Sequence, residues 1–386
     1  MKRFSVLLAL LVNAFLSFSQ DQAQGIKLSN PLERIVYQRN HNMAAVPVKG
    51  NGPAGSTVIM ARLVAWQADQ GKTTKWVVVD AKPVNGEFSG IIKGSGGWYS
   101  LEVKALNKKT EIGKAKVERV GIGEVFLVVG HSVAQGGEIN IEGATDDRVN
   151  TVQLDEKNKV FDSLYLRTGD PQYLPDPVFV QAATGVAHAP FGHHNYFWSK
   201  FGELLAKKEN VPVLLYNAAF GGTSLEHWAK SSQNIQFEHG FVRSGIRMPY
   251  INVLNAIKKY LPLTGVRALL ADQGANDAGQ KSADTILRYY KTFMSQARSD
   301  LNYPQLAVVV NRHTMANALQ VREAQNRMVK ELYSFPGPDY DELVKEDRVD
   351  GIHLSLSGEE KAAAMWAAAL NREFFRLAKP WIPKLK

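Results

Sequence analysis

The chain contains no cysteine, and this absence excludes several classes of chemistry. Without thiols there can be no disulfide framework, no cysteine-ligated zinc ribbon and no thiol nucleophile. Basic residues are numerous, with a formal net charge of +9, but they never cluster in runs longer than pairs such as Lys207-Lys208. Nucleic-acid-binding proteins concentrate lysine and arginine on one face or in runs, so we expect no nucleic-acid partner.

Long hydrophobic runs are also absent beyond the first residues of the chain. Lys2 and Arg3 precede an apolar stretch from Val6 to Leu16, and a more polar segment leads to Gln20. This stretch is too short to span a bilayer comfortably and is typical of a secretory signal peptide. We therefore expect removal of residues 1–20 and export to the periplasm or the extracellular space, without membrane insertion. The alternative is a buried N-terminal helix.

The composition that remains is that of an ordinary globular protein. Hydrophobic residues make up 45% and charged residues 22% of 386 residues, a length that favours two domains. From residue 21 to about 120, apolar and polar residues alternate in short segments separated by turn sequences such as Asn85-Gly86. This pattern predicts a small antiparallel β-sandwich of the immunoglobulin or fibronectin kind over residues 21–120.

From Gly121 onward the pattern changes to apolar strands alternating with amphipathic helices. The predicted strands are nearly continuous apolar runs, as a parallel sheet covered on both faces requires: Glu124–Gly130, Val211–Ala219, Val266–Gln273 and Leu306–Asn311. Helices are predicted at Asn195–Lys207, Pro249–Leu261, Ser282–Arg298 and from a capping box that begins at Ser357. The pattern predicts a three-layer α/β/α domain over residues 121–386. Residues 137–192 fit neither pattern, so we expect a long loop that forms a wall or lid.

Polar residues follow the carboxyl end of each predicted parallel strand, which is where open sheets of this kind bind ligands. Four such segments follow predicted strands, at 130–132, 220–223, 273–277 and 311–313. A fifth, 350–353, precedes the last predicted helix. Acyl transfer needs a hydroxyl nucleophile, a base, a group that orients the base, and donors for the oxyanion. Ser132, His353 and Asp350 fit the first three roles. The N–H groups of Ser132 and Gly222 and the amide of Asn276 fit the fourth.

The same segments resemble the four conserved blocks of the SGNH (GDSL-like) hydrolase superfamily, in its sialate O-acetylesterase-like branch of carbohydrate esterases. The resemblance rests on residues 123–136, 217–228, 273–277 and 350–354 and extends over 121–386. It implies a serine esterase that removes O-acetyl groups from a sugar or glycan through an acetyl-enzyme intermediate, without a metal or other cofactor. The first block departs from the usual pattern, because His131 and Val133 replace the residues that normally flank the serine.

Other residues near the strand ends are candidates for binding the substrate. His131, Gln135, Arg312 and His313 are candidates for substrate contact because of their position. Trp228 is expected to be a core residue or a sugar platform.

A histidine-rich segment raises the question of a metal site. His188, His193 and His194 match no established zinc-ligand spacing, so we expect a pocket wall there and no metal site.

Two other functions remain open at this point. One is an esterase with a different acyl specificity, for lipid or general acyl esters. The other is a non-catalytic carbohydrate-binding protein whose first block has decayed.

Overall fold

The computed structural model describes residues 25–137, 142–155, 157–193, 196–280, 282–314 and 318–384. The predicted signal peptide, residues 1–20, lies outside the described residues. Within the described ranges, no helix combines the length and the apolar character needed to cross a bilayer.

The first part of the chain forms a small β-sandwich, as the alternating pattern predicts. Its strands are β1 (Lys27–Asn30), β2 (Val36–Gln38), β3 (Met43–Asn51), β4 (Val58–Ala65), β5 (Val77–Asp80), β6 (Glu87–Ser95), β7 (Gly97–Asn107) and the first half of β8 (Thr110–Gly130). One sheet has the order β1-β3-β6, and the other joins β5, β4, β7 and β8 by antiparallel pairing. Val48 of the first sheet and Leu63 and Leu101 of the second are buried in the same core.

Strand β8 connects the sandwich to the sheet of the C-terminal part of the chain, which is called the second sheet below. Its first half pairs with β7, and its second half, from Glu124, pairs in parallel with the neighbouring strands described below. The predicted boundary at residue 121 falls inside this strand. The division into domains of 21–120 and 121–386 stays a prediction.

The second sheet is parallel except at one edge, in agreement with the predicted fold class. Its further strands are β9 (Val149–Leu154), β10 (Phe179–Gln181), β11 (Ala187–His188), β12 (Val213–Asn217), β13 (Ala268–Asp272), β14 (Ala307–Arg312) and β15 (Ser334–Asp339). The order along the sheet is β10-β9-β12-β8-β13-β14-β15, and β10 is antiparallel to β9. The central position of β8 places the residues that follow it in the middle of the carboxyl edge.

Helices cover both faces of this sheet. They are α1 (Ser132–Gln135), α2 (Leu166–Thr168), α3 (Tyr196–Glu209), α4 (Leu225–Ser232), α5 (Tyr250–Asn255), α6 (Leu261–Thr264), α7 (Ala283–Asp300), α8 (Leu319–Met328), α9 (Leu356–Ala369) and α10 (Arg372–Leu377). Successive side chains of β8 enter opposite cores, since Leu127 packs with the core of α4 and α7 while Phe126 packs with that of α3 and α9. The arrangement is the predicted three-layer α/β/α architecture.

The structure contains elements that the sequence did not predict, and one predicted helix begins at another residue. Strand β9 lies inside the segment expected to be a loop, and it pairs in parallel with β12. Strand β15 was not predicted because it contains two prolines and a glycine, which a strand tolerates at the edge of a sheet. Helix α9 begins earlier than predicted, because Ser355 and not Ser357 caps it by accepting the Gly358 N–H.

Candidate active site

The parallel topology brings the end of β8 against the end of β13. Gly130 has φ +142°, and a Cβ there would come within 2.0 Å of the Asp272 carbonyl oxygen. Only glycine therefore allows the two backbones to approach this closely. The chain then turns at His131, whose Nδ1 accepts the Val133 N–H at 3.3 Å, and Ser132 becomes the first residue of α1.

Ser132, His353 and Asp350 form a continuous hydrogen-bonded chain. Ser132 Oγ lies 2.8 Å from His353 Nε2, and His353 Nδ1 lies 2.7 Å from Asp350 Oδ2. Because a carboxylate only accepts hydrogen bonds, Nδ1 carries the ring proton and Nε2 accepts from the serine hydroxyl. The hydrogen bond from His353, helped by backbone N–H groups, lowers the pKa of Asp350 to about 2.

Hydrogen bonds within the loop and to a neighbouring segment fix the loop that carries His353 and Asp350. Asp350 Oδ1 accepts the backbone N–H groups of Ile352 at 2.9 Å and of His353 at 2.8 Å. Arg348 donates from Nη1 to the Ile352 carbonyl at 2.8 Å and from Nη2 to the Tyr340 carbonyl at 2.7 Å. These bonds fasten the loop to the segment that follows β15, so the imidazole is presented to Ser132 in one orientation.

Gly222 lies beside the serine, at the turn after β12. It has φ +71°, a conformation that favours glycine, and a Cβ there would lie 2.5 Å from Phe241 Cζ. The preceding residue is close to Ser132, since a Cβ on Gly221 would lie 3.3 Å from Ser132 Cβ. Within the described part of the chain, no group accepts the backbone N–H of Ser132 or of Gly222.

Asn276 reaches the same turn from the segment after β13. Its Nδ2 donates to the Thr223 carbonyl at 3.0 Å, and its side chain keeps a second N–H for another acceptor. Asp277, the next residue, is buried and accepts the Leu225 N–H at the start of α4. Burial raises the pKa of Asp277 to about 7. The two residues therefore join the Gly222 turn to the segment that carries Asn276.

Gln135 connects the serine turn to the neighbouring segments. Its Oε1 accepts the Gly221 N–H at 2.6 Å, and its Nε2 donates to the Phe191 carbonyl at 3.1 Å. The residue is 5% exposed. Its role in substrate contact stays a prediction, and its two hydrogen bonds position the backbone at Gly221 and Phe191.

His131 and His313 flank the buried carboxylate of Asp272 behind the serine. His313 Nδ1 lies 3.2 Å from Asp272 Oδ1, and His131 Nε2 lies 3.9 Å from the same oxygen. All three side chains are fully buried. Burial lowers the pKa of His131 to about 4. Although burial alone raises the pKa of Asp272, hydrogen bonds from His313 and Asn311 bring it below its usual value.

This group is the one arrangement of metal-ligand residues found in the described ranges, and its hydrogen bonds do not fit a metal ion. His131 Nδ1 accepts a backbone N–H, so the proton of the neutral ring sits on Nε2, the atom that faces Asp272. His313 Nε2 lies 3.4 Å from Arg348 Nη1, which only donates, so Nδ1 carries the proton. Both ring atoms directed at Asp272 are therefore N–H donors and have no free lone pair for a cation.

The remaining predicted residues make no hydrogen bond to Ser132, His353 or Asp350 in the described part of the chain. The guanidinium of Arg312 is 3.7 Å from Asp339 on β15, so it faces the edge of the sheet. Trp228 is 1% exposed and donates from Nε1 to Thr223 Oγ1, so it is a core residue and the sugar-platform alternative is wrong.

The histidine-rich segment is divided between core and surface. His188 is buried, and burial lowers its pKa to about 4. His193 is exposed, and His194 lies outside the described residues.

Sequence reasoning did not identify the supporting roles of Asp272, Asp277 and Arg348. A charged residue at the end of an otherwise apolar strand was the available signal for Asp272. No comparable signal existed for Arg348, whose bonds to Tyr340 and His313 depend on the tertiary fold.

Known proteins resemble this chain in sequence and in fold. The family model described as carbohydrate esterase, sialic acid-specific acetylesterase, matches residues 123–372. The carbohydrate acetylesterase XAC1771 of Xanthomonas citri has a similar fold, with a TM-score of 0.50 and 17% identity over 90% of this chain and 74% of its own. A protein of Arabidopsis thaliana has a TM-score of 0.42 and 13% identity over 64% of this chain and 96% of its own. NanS has a TM-score of 0.42 and 12% identity over 66% and 97%, respectively. No curated protein matched the sequence.

Proposed function

The chain belongs to the carbohydrate esterase family of sialic acid-specific acetylesterases and is therefore a carboxylic ester hydrolase, and we propose that Ser132 is its nucleophile. The substrate in this proposal is an O-acetylated sugar, with an O-acetylated sialic acid as the first candidate. The family supports a sugar ester over the lipid alternative. Since its members are ester hydrolases, it also contradicts the non-catalytic alternative.

The proposal rests above all on the hydrogen-bonded chain from Ser132 through His353 to Asp350. Ser132 Oγ attacks the acetyl carbonyl carbon while its proton passes to His353 Nε2, 2.8 Å away. Asp350 Oδ2 accepts a hydrogen bond from His353 Nδ1–H at 2.7 Å. This bond keeps the imidazole in the tautomer that can act as a base, and the carboxylate stabilises the imidazolium that forms. The bond between the carbonyl carbon and the sugar oxygen then breaks, and His353 returns its proton to that oxygen.

Hydrolysis of the acetyl-enzyme repeats the sequence with water. His353 accepts a proton from the water as its oxygen attacks the acetyl carbon, and then donates that proton to Ser132 Oγ as the ester bond breaks. The products are the free serine and acetic acid, which releases the second proton of the water to become acetate. In both halves the carbonyl oxygen becomes negative, and we assign its stabilisation to the N–H groups of Ser132 and Gly222 and to the amide of Asn276.

Replacement of the nucleophile tests the proposal directly. Ser132→Ala is expected to lower kcat by a factor of about 10⁴ or more with little change in KM, because the three residues act as a unit. Ser295→Ala, an exposed serine on α7, is the matched control and should behave as wild type. Activity of Ser132→Ala within about tenfold of wild type would exclude this serine from the mechanism.

Export remains part of the proposal. The charged and apolar pattern of residues 1–20 supports a cleaved signal peptide. N-terminal sequencing of protein recovered from the periplasm or the medium tests it. A mature chain that still begins at Met1 would contradict it.

A further inference from the structure

An exposed phenylalanine lies beside the turn that carries Gly222. Phe241 is 63% exposed, and its Cζ would lie 2.5 Å from a Cβ placed on Gly222. Gly221, the residue before Gly222, is the one whose added Cβ would lie 3.3 Å from Ser132 Cβ. A single exposed apolar side chain is ordinary on a protein surface. Phe241 differs because it stacks on other aromatic rings and because His239 ties its backbone to the glycine turn.

The support is a row of stacked rings that runs from the core to the surface. Phe191 and Phe220 have ring centroids 4.7 Å apart at an interplanar angle of 23°. Phe220 and Phe241 follow at 6.3 Å and 19°. Phe191 and Phe220 are buried, so Phe241 is the solvent-facing end of the row. Its plane is therefore set by the two rings beneath it.

The anchor is His239, which joins the segment of Phe241 to the glycine turn. His239 Nδ1 accepts the backbone N–H groups of Phe241 at 3.3 Å and of Val242 at 3.2 Å. Its Nε2 therefore carries the ring proton and donates to the Gly222 carbonyl at 3.2 Å. The imidazole also meets the Phe241 ring edge-on, at 4.5 Å and 87°. Phe241 is thus fastened to the same residue whose N–H we assign to the oxyanion.

We propose that Phe241 is the surface on which the sugar ring of the substrate stacks while its acetyl group reaches Ser132. The inference rests on the proposed function. A pyranose ring has one face of C–H groups, which an aromatic face attracts, and a rim of hydroxyl groups that prefer water. An exposed ring meets both needs, because it covers one sugar face and leaves the rim solvated.

The same geometry argues against a pocket for the acyl group. An acetyl group has two carbons and gains binding energy by being enclosed, whereas Phe241 has most of its surface in solvent. The ring therefore serves the alcohol side of the ester. Phe241 is therefore a specificity-determining residue, because an ester without a sugar cannot make the stacking contact with its ring.

The test compares two substrates in the full-length protein with leucine and tyrosine replacements. The substrates are an O-acetylated N-acetylneuraminic acid and ethyl acetate, with acetate release measured for both. Phe241→Leu keeps apolar bulk without a ring, and Phe241→Tyr keeps the ring. Phe241→Leu is expected to lower kcat/KM for the acetylated sugar about tenfold, mainly through KM, and to leave ethyl acetate within about twofold. Phe241→Tyr should restore the sugar activity. Ile235→Ala, which removes another exposed apolar side chain at 53% exposure, is the matched control and should change neither.

Three outcomes would overturn the inference. These are full sugar activity in Phe241→Leu, an equal loss on both substrates, and a wild-type protein that hydrolyses ethyl acetate but not the acetylated sugar. The Ser132→Ala variant distinguishes a failure of the stacking inference from a failure of the proposed function. If Ser132→Ala stays active while Phe241→Leu is selectively impaired, the nucleophile assignment fails and the stacking surface stands.

Discussion

Replacing Asp350 by asparagine changes one atom at the end of the hydrogen-bonded chain from Ser132 through His353. Asp350 Oδ1 accepts two backbone N–H groups, from Ile352 and His353, so this position must remain an oxygen in the variant. The amide nitrogen is then placed where Oδ2 now lies, 2.7 Å from His353 Nδ1. An amide nitrogen donates, so His353 Nδ1 must become an acceptor and the ring proton must move to Nε2.

With its ring proton on Nε2, His353 cannot act as the base in this variant. His353 Nε2 would now donate toward Ser132 Oγ instead of accepting from it, and the serine could not lose its proton to the ring. The carboxylate that stabilises the imidazolium is also gone. A loss of about 10⁴ in kcat is expected, equivalent to roughly 5 kcal/mol of transition-state stabilisation. The fold should be unaffected, because the shape of the side chain is kept.

Steady-state hydrolysis of an O-acetylated sialic acid measures this loss, and circular dichroism checks the fold. Asp176→Asn changes an aspartate whose side chain is 91% exposed and should be silent. Hydrogen bonding lowers the pKa of Asp350 to about 2, so its carboxylate stays ionised from pH 4 upward and the loss should persist across that range. If Asp350→Asn keeps kcat within tenfold of wild type, the reasoning about the tautomer is wrong.

Three further predictions follow from the supporting residues. Asn276→Ala should lower kcat by about 10² to 10³ without unfolding the protein, and a rise in KM alone would make it a ground-state contact. Arg348→Met removes the donors to the carbonyls of Ile352 and Tyr340 and should lower kcat tenfold to a hundredfold at nearly constant KM, with partial recovery in Arg348→Lys. Burial raises the pKa of Asp277 to about 7, so the folded protein keeps a proton that the unfolded chain loses near pH 4. The free energy of unfolding should therefore fall between about pH 4 and 7 and lose this slope in Asp277→Asn, as urea titrations at several pH values will show.

The site was predictable to the extent that it depends on the ends of parallel strands. Ser132, Gly222 and Asn276 each follow an apolar strand, and parallel strands end at one edge, so their proximity could be expected from sequence. His353 and Asp350 were predictable because a spacing of three residues places them on one loop. The departure at His131 leaves the serine's hydrogen bond to His353 in place.

The parts that sequence did not predict depend on contacts between distant segments. Strand β15 is a strand because β14 pairs with it, although its prolines argue against one. The link from Asp272 through His313 to Arg348 joins three segments that no local pattern relates. Phe241 could not be singled out either, because its significance comes from the Gly222 backbone it touches.

Labelling with a fluorophosphonate is the most direct test of the central claim that Ser132 is an activated nucleophile. The reagent reacts with a serine only where a base removes its proton, and peptide mass spectrometry identifies the modified residue. The account predicts one phosphonylated serine, Ser132, with labelling abolished in Ser132→Ala and in His353→Ala. An enzyme that hydrolyses acetyl esters while Ser132 stays unlabelled, or while another serine carries the label, would contradict it.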